Sequence, residues 1–163
     1  MRKSVVLFTT IALLLFFTSS YKVQEVGLKL NAYIPEMKLS VEDSVLNLNK
    51  ERGNYVLLNF WSSENAVSRI KNIEYSNMIN DLEDNDIKFA SINYDRSQKL
   101  YSEIISNDNV NNGSQFFDYD GINSEVYKQF QLERGFNSYL INKEGKIIAI
   151  NPNAEQLTAY IGQ

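Results

Sequence analysis

Read from the N-terminus, the apolar and polar positions divide the chain into short segments of different period. Residues 21–34 read as an extended lead-in. Met37 to Leu39 and Val45 to Leu48 are two apolar pieces around the polar turn Val41-Glu42-Asp43-Ser44, which predicts a small hairpin. Glu51-Arg52-Gly53-Asn54 turns into Tyr55–Phe60, a nearly continuous apolar run suited to a strand covered on both faces. A helix is predicted from Ala66 to Leu82, because Val67, Ile70, Ile73, Met78, Ile79 and Leu82 fall near helical spacing. Asp84-Asn85-Asp86 ends it, and Ile87–Asn93 is the second strand.

A second helix, Ser97–Ser106, carries Leu100, Tyr101, Ile104 and Ile105 on one side, and Asn107–Gly113 is a polar loop. Gln115–Phe117 reads as a short strand and Ser124–Phe130 as a short helix with Val126 and Phe130 inward. Ser138–Asn142 and Lys146–Ile150 flank Lys143-Glu144-Gly145, which makes a hairpin. Asn153 caps a last helix, Ala154–Ile161. The order β-α-β-α-β-α-β-β-α begins with parallel right-handed crossovers and closes with antiparallel strands. One mixed α/β sheet with helices on both faces follows.

The first twenty residues stand apart. Arg2 and Lys3 are followed by an apolar run, Val5–Phe17, and then by Thr18-Ser19-Ser20, the pattern of a secretory signal peptide. The run is well short of the ~20 residues that span a bilayer. Residues 1–20 are therefore expected to be a leader and 21–163 a single domain, with membrane attachment only if the leader is retained. The 163-residue chain carries a net charge of −4, and loss of Arg2 and Lys3 makes the remainder more negative. No basic patch supports nucleic-acid binding. Asn112-Gly113-Ser114 fits a glycosylation acceptor in a eukaryotic host and a plain turn otherwise.

The chemistry is bounded by two absences: the sequence holds no cysteine and no histidine. Zinc lacks its favoured ligands, and Asp84, Asp86, Asp118 and Asp120 do not fit a calcium loop, so no metal or cofactor is expected. Asp118-Tyr119-Asp120-Gly121 reads as a turn.

Three segments carry a resemblance. They are Tyr33-Ile34-Pro35-Glu36-Met37-Lys38-Leu39, then Val56-Leu57-Leu58-Asn59-Phe60-Trp61-Ser62-Ser63, then Tyr139-Leu140-Ile141-Asn142-Lys143-Glu144-Gly145-Lys146-Ile147-Ile148. In this order and spacing the chain resembles the thioredoxin-like thiol-disulfide oxidoreductases of bacterial envelopes, over roughly residues 27–162. The resemblance implies a thioredoxin-like fold, a central mixed β-sheet flanked by helices with an extra N-terminal β-hairpin. With the leader, it implies export to the periplasm or envelope of a Gram-negative cell.

The same resemblance places the family's working residues. Asn65 stands where the attacking cysteine belongs and Ser68 where the resolving one belongs, while Arg69 keeps the basic residue that often follows. Lys71 falls where many members place a glutamate. Phe136, or Asn137 after a one-residue slip, falls where the family has a cis-proline. A cis bond before a non-proline residue costs about 2.5–4 kcal/mol, so a trans bond is expected.

Thiol-disulfide exchange and peroxidase chemistry both need a cysteine, so this chain alone performs neither. Ser68 as a nucleophile would need Lys71 as its base, since no histidine exists. Asn65 is a good helix N-cap and also a candidate ligand contact. Glu64 suits the positive end of a helix dipole and argues against a phosphate site. Trp61 is either a partly exposed contact or a core residue, and Phe136 either shapes a groove or packs over Trp61. The expected reading is a redox-inactive binding module. Its surface is Trp61, Ser62, Glu64, Asn65, Ser68, Arg69, Phe136 and Asn137, and its occupant a peptide or protein partner. The alternative is an enzyme of non-thiol chemistry, or a subunit supporting a cysteine-bearing partner.

Overall fold

The computed structural model describes residues 24–41, 44–81, 87–110 and 112–161. The leader, the hairpin residues 42 and 43, and the expected stop at Leu82 to Asp86 lie outside the described residues.

Among the described residues, seven strands and four α-helices follow the expected order. A hairpin of β1 (Lys38–Val41) and β2 (Ser44–Asn47) forms a separate two-stranded sheet. The main sheet has five strands: β3 (Tyr55–Trp61), β4 (Ile87–Asn93), β5 (Gln115–Phe117), β6 (Ser138–Ile141) and β7 (Ile147–Ile150). Their spatial order is β5-β4-β3-β6-β7. β4 runs parallel to β3 and β5, while β6 runs antiparallel to β3 and β7. The helices are α1 (Ala66–Asp81), α2 (Gln98–Asp108), α3 (Glu125–Gln129) and α4 (Ala154–Ile161). Among the described residues no helix is long and apolar enough to cross a membrane.

Strand alternation divides the core. Val56, Leu58 and Phe60 of β3 point to the face covered by Met37, Leu39, Val126 and Phe130, from the lead-in, hairpin and α3. Leu57 points to the opposite face with Tyr75 of α1 and Leu157 of α4, and Trp61 packs there against Tyr101 and Ile105 of α2. Phe60 and Phe130 meet with ring centroids 4.7 Å apart.

Backbone pairing ties the lead-in to the closing hairpin. Asn31 N donates to Ile147 O at 2.8 Å and Ile147 N to Ala32 O at 2.9 Å. The hairpin turn needs a glycine at Gly145, where φ is +84° and the Arg52 guanidinium occupies the space a Cβ would take. Arg52 donates to Glu144 O across this turn.

The expected apolar stripe of α1 is the largest departure from the sequence reading. Ile73, Met78 and Ile79 of that stripe do pack, half-buried, against the core, but the buried positions of the helix are Ser68, Asn72, Tyr75 and Ser76, and Val67 and Ile70 are 69% and 56% exposed. The reason lies in the sheet beneath it. Asn59, Ser91, Gln115 and Ser138, from four adjacent strands, are all buried. Asn72 Oδ1 accepts from Ser91 Oγ at 2.6 Å, Gln115 Nε2 at 3.0 Å and Asn59 Nδ2 at 3.4 Å. Asn59 Nδ2 also donates to Ser91 Oγ at 2.8 Å, and Ser138 Oγ to Asn59 Oδ1 at 2.8 Å. A sheet that presents polar groups must be met by polar groups, because a buried hydrogen-bonding atom without a partner is costly. The helix is rotated so that Asn72, not Ile70, faces inward.

Candidate functional site

The chain leaves β3 at Trp61 and enters α1 at Ala66, and the four residues between form a polar turn. Asn65 caps the helix: its Oδ1 accepts from Ser68 N at 2.9 Å, and its carbonyl from Arg69 N at 3.0 Å. Such a cap contributes about 1 kcal/mol. Ser68 closes the turn from inside. Its Oγ donates to Asn65 O at 3.0 Å and accepts from Ser62 N at 3.3 Å.

The centre of this corner is Asp95, just past the end of β4. Its Oδ1 accepts from Ser62 Oγ at 2.8 Å, Ser63 N at 2.6 Å and Ser63 Oγ at 2.9 Å. Its Oδ2 accepts from Asn93 Nδ2 at 3.1 Å. A carboxylate buried to this degree is tolerated because hydrogen bonds replace its hydration. Asp95 thereby ties the carboxyl ends of β3 and β4 together.

A groove of about 680 Å³ opens beside this corner. Ser62, Glu64 and Asn65 supply one wall, and Tyr94, Asp95 and Arg96 the next. The turn from Phe117 to Ile122, with Tyr127 and Phe136, completes the lining. Glu64 is paired with Arg96 at 3.0 Å. Tyr119 and Ile122 are exposed at the rim. The turn itself is as expected: Gly121 N donates to Asp118 O at 3.1 Å and Asp120 N to Asp118 Oδ1 at 3.1 Å.

Two polar atoms in the groove wall lack hydrogen-bond partners, Tyr94 Oη and Asp118 Oδ2. Each such orphan costs about 1–3 kcal/mol. Burial, with the Asp118 charge beside it, pushes the Tyr94 phenol above its ordinary range. The phenol is therefore neutral at ordinary pH. The unfolded chain would lose this proton first, so the contribution is complete below about pH 10 and fades above it. Tyr94→Phe removes an unpartnered hydroxyl and this titration. The variant is expected to be at least as stable as the parent in urea at pH 7 and to lose less stability above pH 10. A urea midpoint series across pH checks both.

Of the eight residues expected to form the binding surface, the groove brings together Ser62, Glu64, Asn65 and Phe136. The other four are placed elsewhere. Trp61 is fully buried (0% exposed), 6.4 Å from Tyr101 between ring centroids, because it sits on the α2 side of β3. Ser68 is buried under the turn it closes. Arg69 turns to α2, where its Nε and Nη2 reach Asp108 at 2.8 and 2.5 Å. That hydrogen bond holds the guanidinium pKa above its ordinary value, against the opposing effect of partial burial. Asn137 accepts from Asn151 Nδ2 at 2.7 Å.

Phe136 does not pack over Trp61. It stacks on Tyr94, with centroids 6.2 Å apart and planes 24° apart, and the peptide bond before it is trans. Lys71 lies over the Tyr75 ring at 5.6 Å. Ser68 Oγ is committed to a backbone carbonyl rather than to a base.

Sequence reasoning passed over Tyr94, Asp95 and Tyr127, and took Asp118–Gly121 only as a turn. A usable signal existed for the first two. In sheets with parallel strands, sites form beyond the carboxyl ends of adjacent strands. Tyr94 and Asp95 directly follow Asn93, the last residue of the strand next to β3.

No protein-family model and no curated protein matches the sequence. Solved structures do. A thioredoxin-like protein from Parabacteroides distasonis is 32% identical with a TM-score of 0.74, covering 85% of this chain and 98% of its own. A thiol-disulfide oxidoreductase from Bacteroides fragilis is 26% identical with a TM-score of 0.64, covering 80% and 97%. The C-terminal domain of a putative thiol-disulfide oxidoreductase from Bacteroides thetaiotaomicron, at 23% identity and a TM-score of 0.68 over 82% and 94%, shares the fold. With a five-stranded mixed sheet, helices on both faces, an added N-terminal hairpin and Asn65 and Ser68 at the head of α1, the chain belongs to the thioredoxin-like proteins, as a member without a single cysteine.

Proposed function

We propose that this chain is an exported, redox-inactive thioredoxin-like module that holds a peptide or a partner protein at its former active-site end. The observation that carries the reading is the groove of about 680 Å³ beside Asn65, walled by Tyr94, Tyr119, Tyr127 and Phe136. Aromatic walls with a few polar groups suit recognition of another chain. Loss of the dithiol removes exchange chemistry and leaves the concavity in place, and function is argued from such a site rather than from the fold. Export rests on the basic start and apolar run of residues 1–20. The enzyme alternative draws no support from Ser68, which is buried and hydrogen-bonded to backbone, with Lys71 turned to Tyr75.

In-cell crosslinking tests this directly. A photoreactive residue is placed at Asn65, at the groove, with a control at Lys99 on the exposed side of α2. A protein captured reproducibly at Asn65 and not at Lys99 is the expected result. Equal background at both positions would sink the groove reading.

A further inference from the structure

We propose that the groove accepts a positively charged side chain, a lysine or arginine of an extended peptide segment, with Asp118 as its counter-charge. The inference rests on the peptide-binding reading above and specifies the chemistry of the occupant.

Charge is the first support. The groove is lined by the carboxylates of Glu64, Asp95, Asp118 and Asp120 and by one cation, Arg96, which is tied to Glu64. Asp95 is saturated by the donors of Ser62, Ser63 and Asn93. The unsatisfied negative charge therefore lies at the Asp118 end. Among the described residues no three acidic side chains converge as a metal ion would require. The charge is spread along a wall instead, which suits an organic cation.

The second support is the orphaned acceptor. Asp118 is 2% exposed, and its Oδ2 has no donor. Tyr94 Oη lies beside Asp118 but makes no hydrogen bond of good geometry. A second cavity of about 500 Å³ shares Asp118, Tyr119 and Asp120 with the groove, so this turn borders open space beyond the groove itself. On this proposal the turn shifts slightly on binding to admit a donor to Oδ2. An ammonium or guanidinium supplies that donor together with charge. An anionic or purely apolar segment would leave Asp118 Oδ2 buried without a donor.

The third support is the aromatic surround. Tyr94 contacts Tyr127 and Phe136 at centroid distances of 5.3 and 6.2 Å, and Tyr119 stands half exposed at the rim. Cations favour such ring faces, and the methylene stem of lysine or arginine packs on them.

The test is an NMR titration of the purified protein with two short peptides. One is acetyl-Ala-Leu-Arg-Leu-Ala-amide, and the other carries neutral citrulline in place of arginine. The arginine peptide is expected to shift the amides of Tyr94, Asp118 and Tyr119 and to bind at least about tenfold more tightly. Asp118→Asn is expected to reduce that preference to about twofold or less. Asp120→Asn, on the exposed side of the turn, gives a second reading should Asp118→Asn fold poorly, and is expected to weaken the preference. Equal binding of both peptides overturns the charge preference and leaves the peptide reading intact. A preference unchanged in both variants removes Asp118 from the proposal. Failure of the arginine peptide to shift the groove amides overturns the inference whatever the crosslinking at Asn65 returns.

Discussion

Asn72→Ala is expected to destabilise the protein by about 3 kcal/mol, although Asn72 lies off the apolar stripe Val67, Ile70, Ile73, Met78, Ile79 and Leu82. Asn72 is fully buried, and one oxygen accepts from Asn59, Ser91 and Gln115, residues of three different strands. After substitution Asn59 Nδ2 keeps Ser91 Oγ, and the Ser91 hydroxyl can rotate. Gln115 Nε2 has no such recourse and is left buried without an acceptor. The lost side-chain volume adds a cavity cost. Val67→Ala and Ile70→Ala on the exposed face are expected to stay within about 0.5 kcal/mol. Urea midpoints of the three variants decide the matter. The reverse ranking would mean that the apolar stripe is the buried face and that the orientation of α1 described above is incorrect.

Asp95→Ala is expected to have the second large effect, also about 3 kcal/mol, centred on the groove. Ser62 Oγ, Ser63 N, Ser63 Oγ and Asn93 Nδ2 all donate to this carboxylate. The two hydroxyls can turn toward water or a carbonyl. The Ser63 amide and the Asn93 side chain are fixed by the backbone and the sheet, so they carry most of the loss. The turn between β3 and α1 should then open locally. Hydrogen exchange at the Ser63 amide is expected to accelerate by one or more orders of magnitude, with exchange in β3 following only the global stability. An unchanged Ser63 amide would show that the turn is held by the Asn65 cap and not by Asp95.

Both residues mark what the sequence pattern did not disclose, whereas the elements around them were legible in it. Continuous apolar runs such as Tyr55–Phe60, punctuated by Glu51-Arg52-Gly53-Asn54 and Lys143-Glu144-Gly145, set the strands and turns through local preference and period. The absence of cysteine excluded thiol chemistry outright, because no arrangement in space can supply a missing sulfur. The caps at Asn65 and Asn153 were accessible because a cap acts within three residues of itself.

What the sequence by itself determined is thus the order of elements, the mixed sheet they must form, and the chemistry the chain cannot perform. The tertiary structure alone decided which face of α1 is buried, because that depends on Asn59, Ser91, Gln115 and Ser138 meeting from four strands. It also decided that Trp61 is core and that Phe136 stacks on Tyr94. The groove is likewise a product of assembly, since Asn65, Asp95, Asp118 and Phe136 are separated by tens of residues and share a wall only after the sheet forms. Period and propensity act over a few residues, whereas polar pairing and burial act through space. A sequence pattern reports the first directly and the second only where both agree.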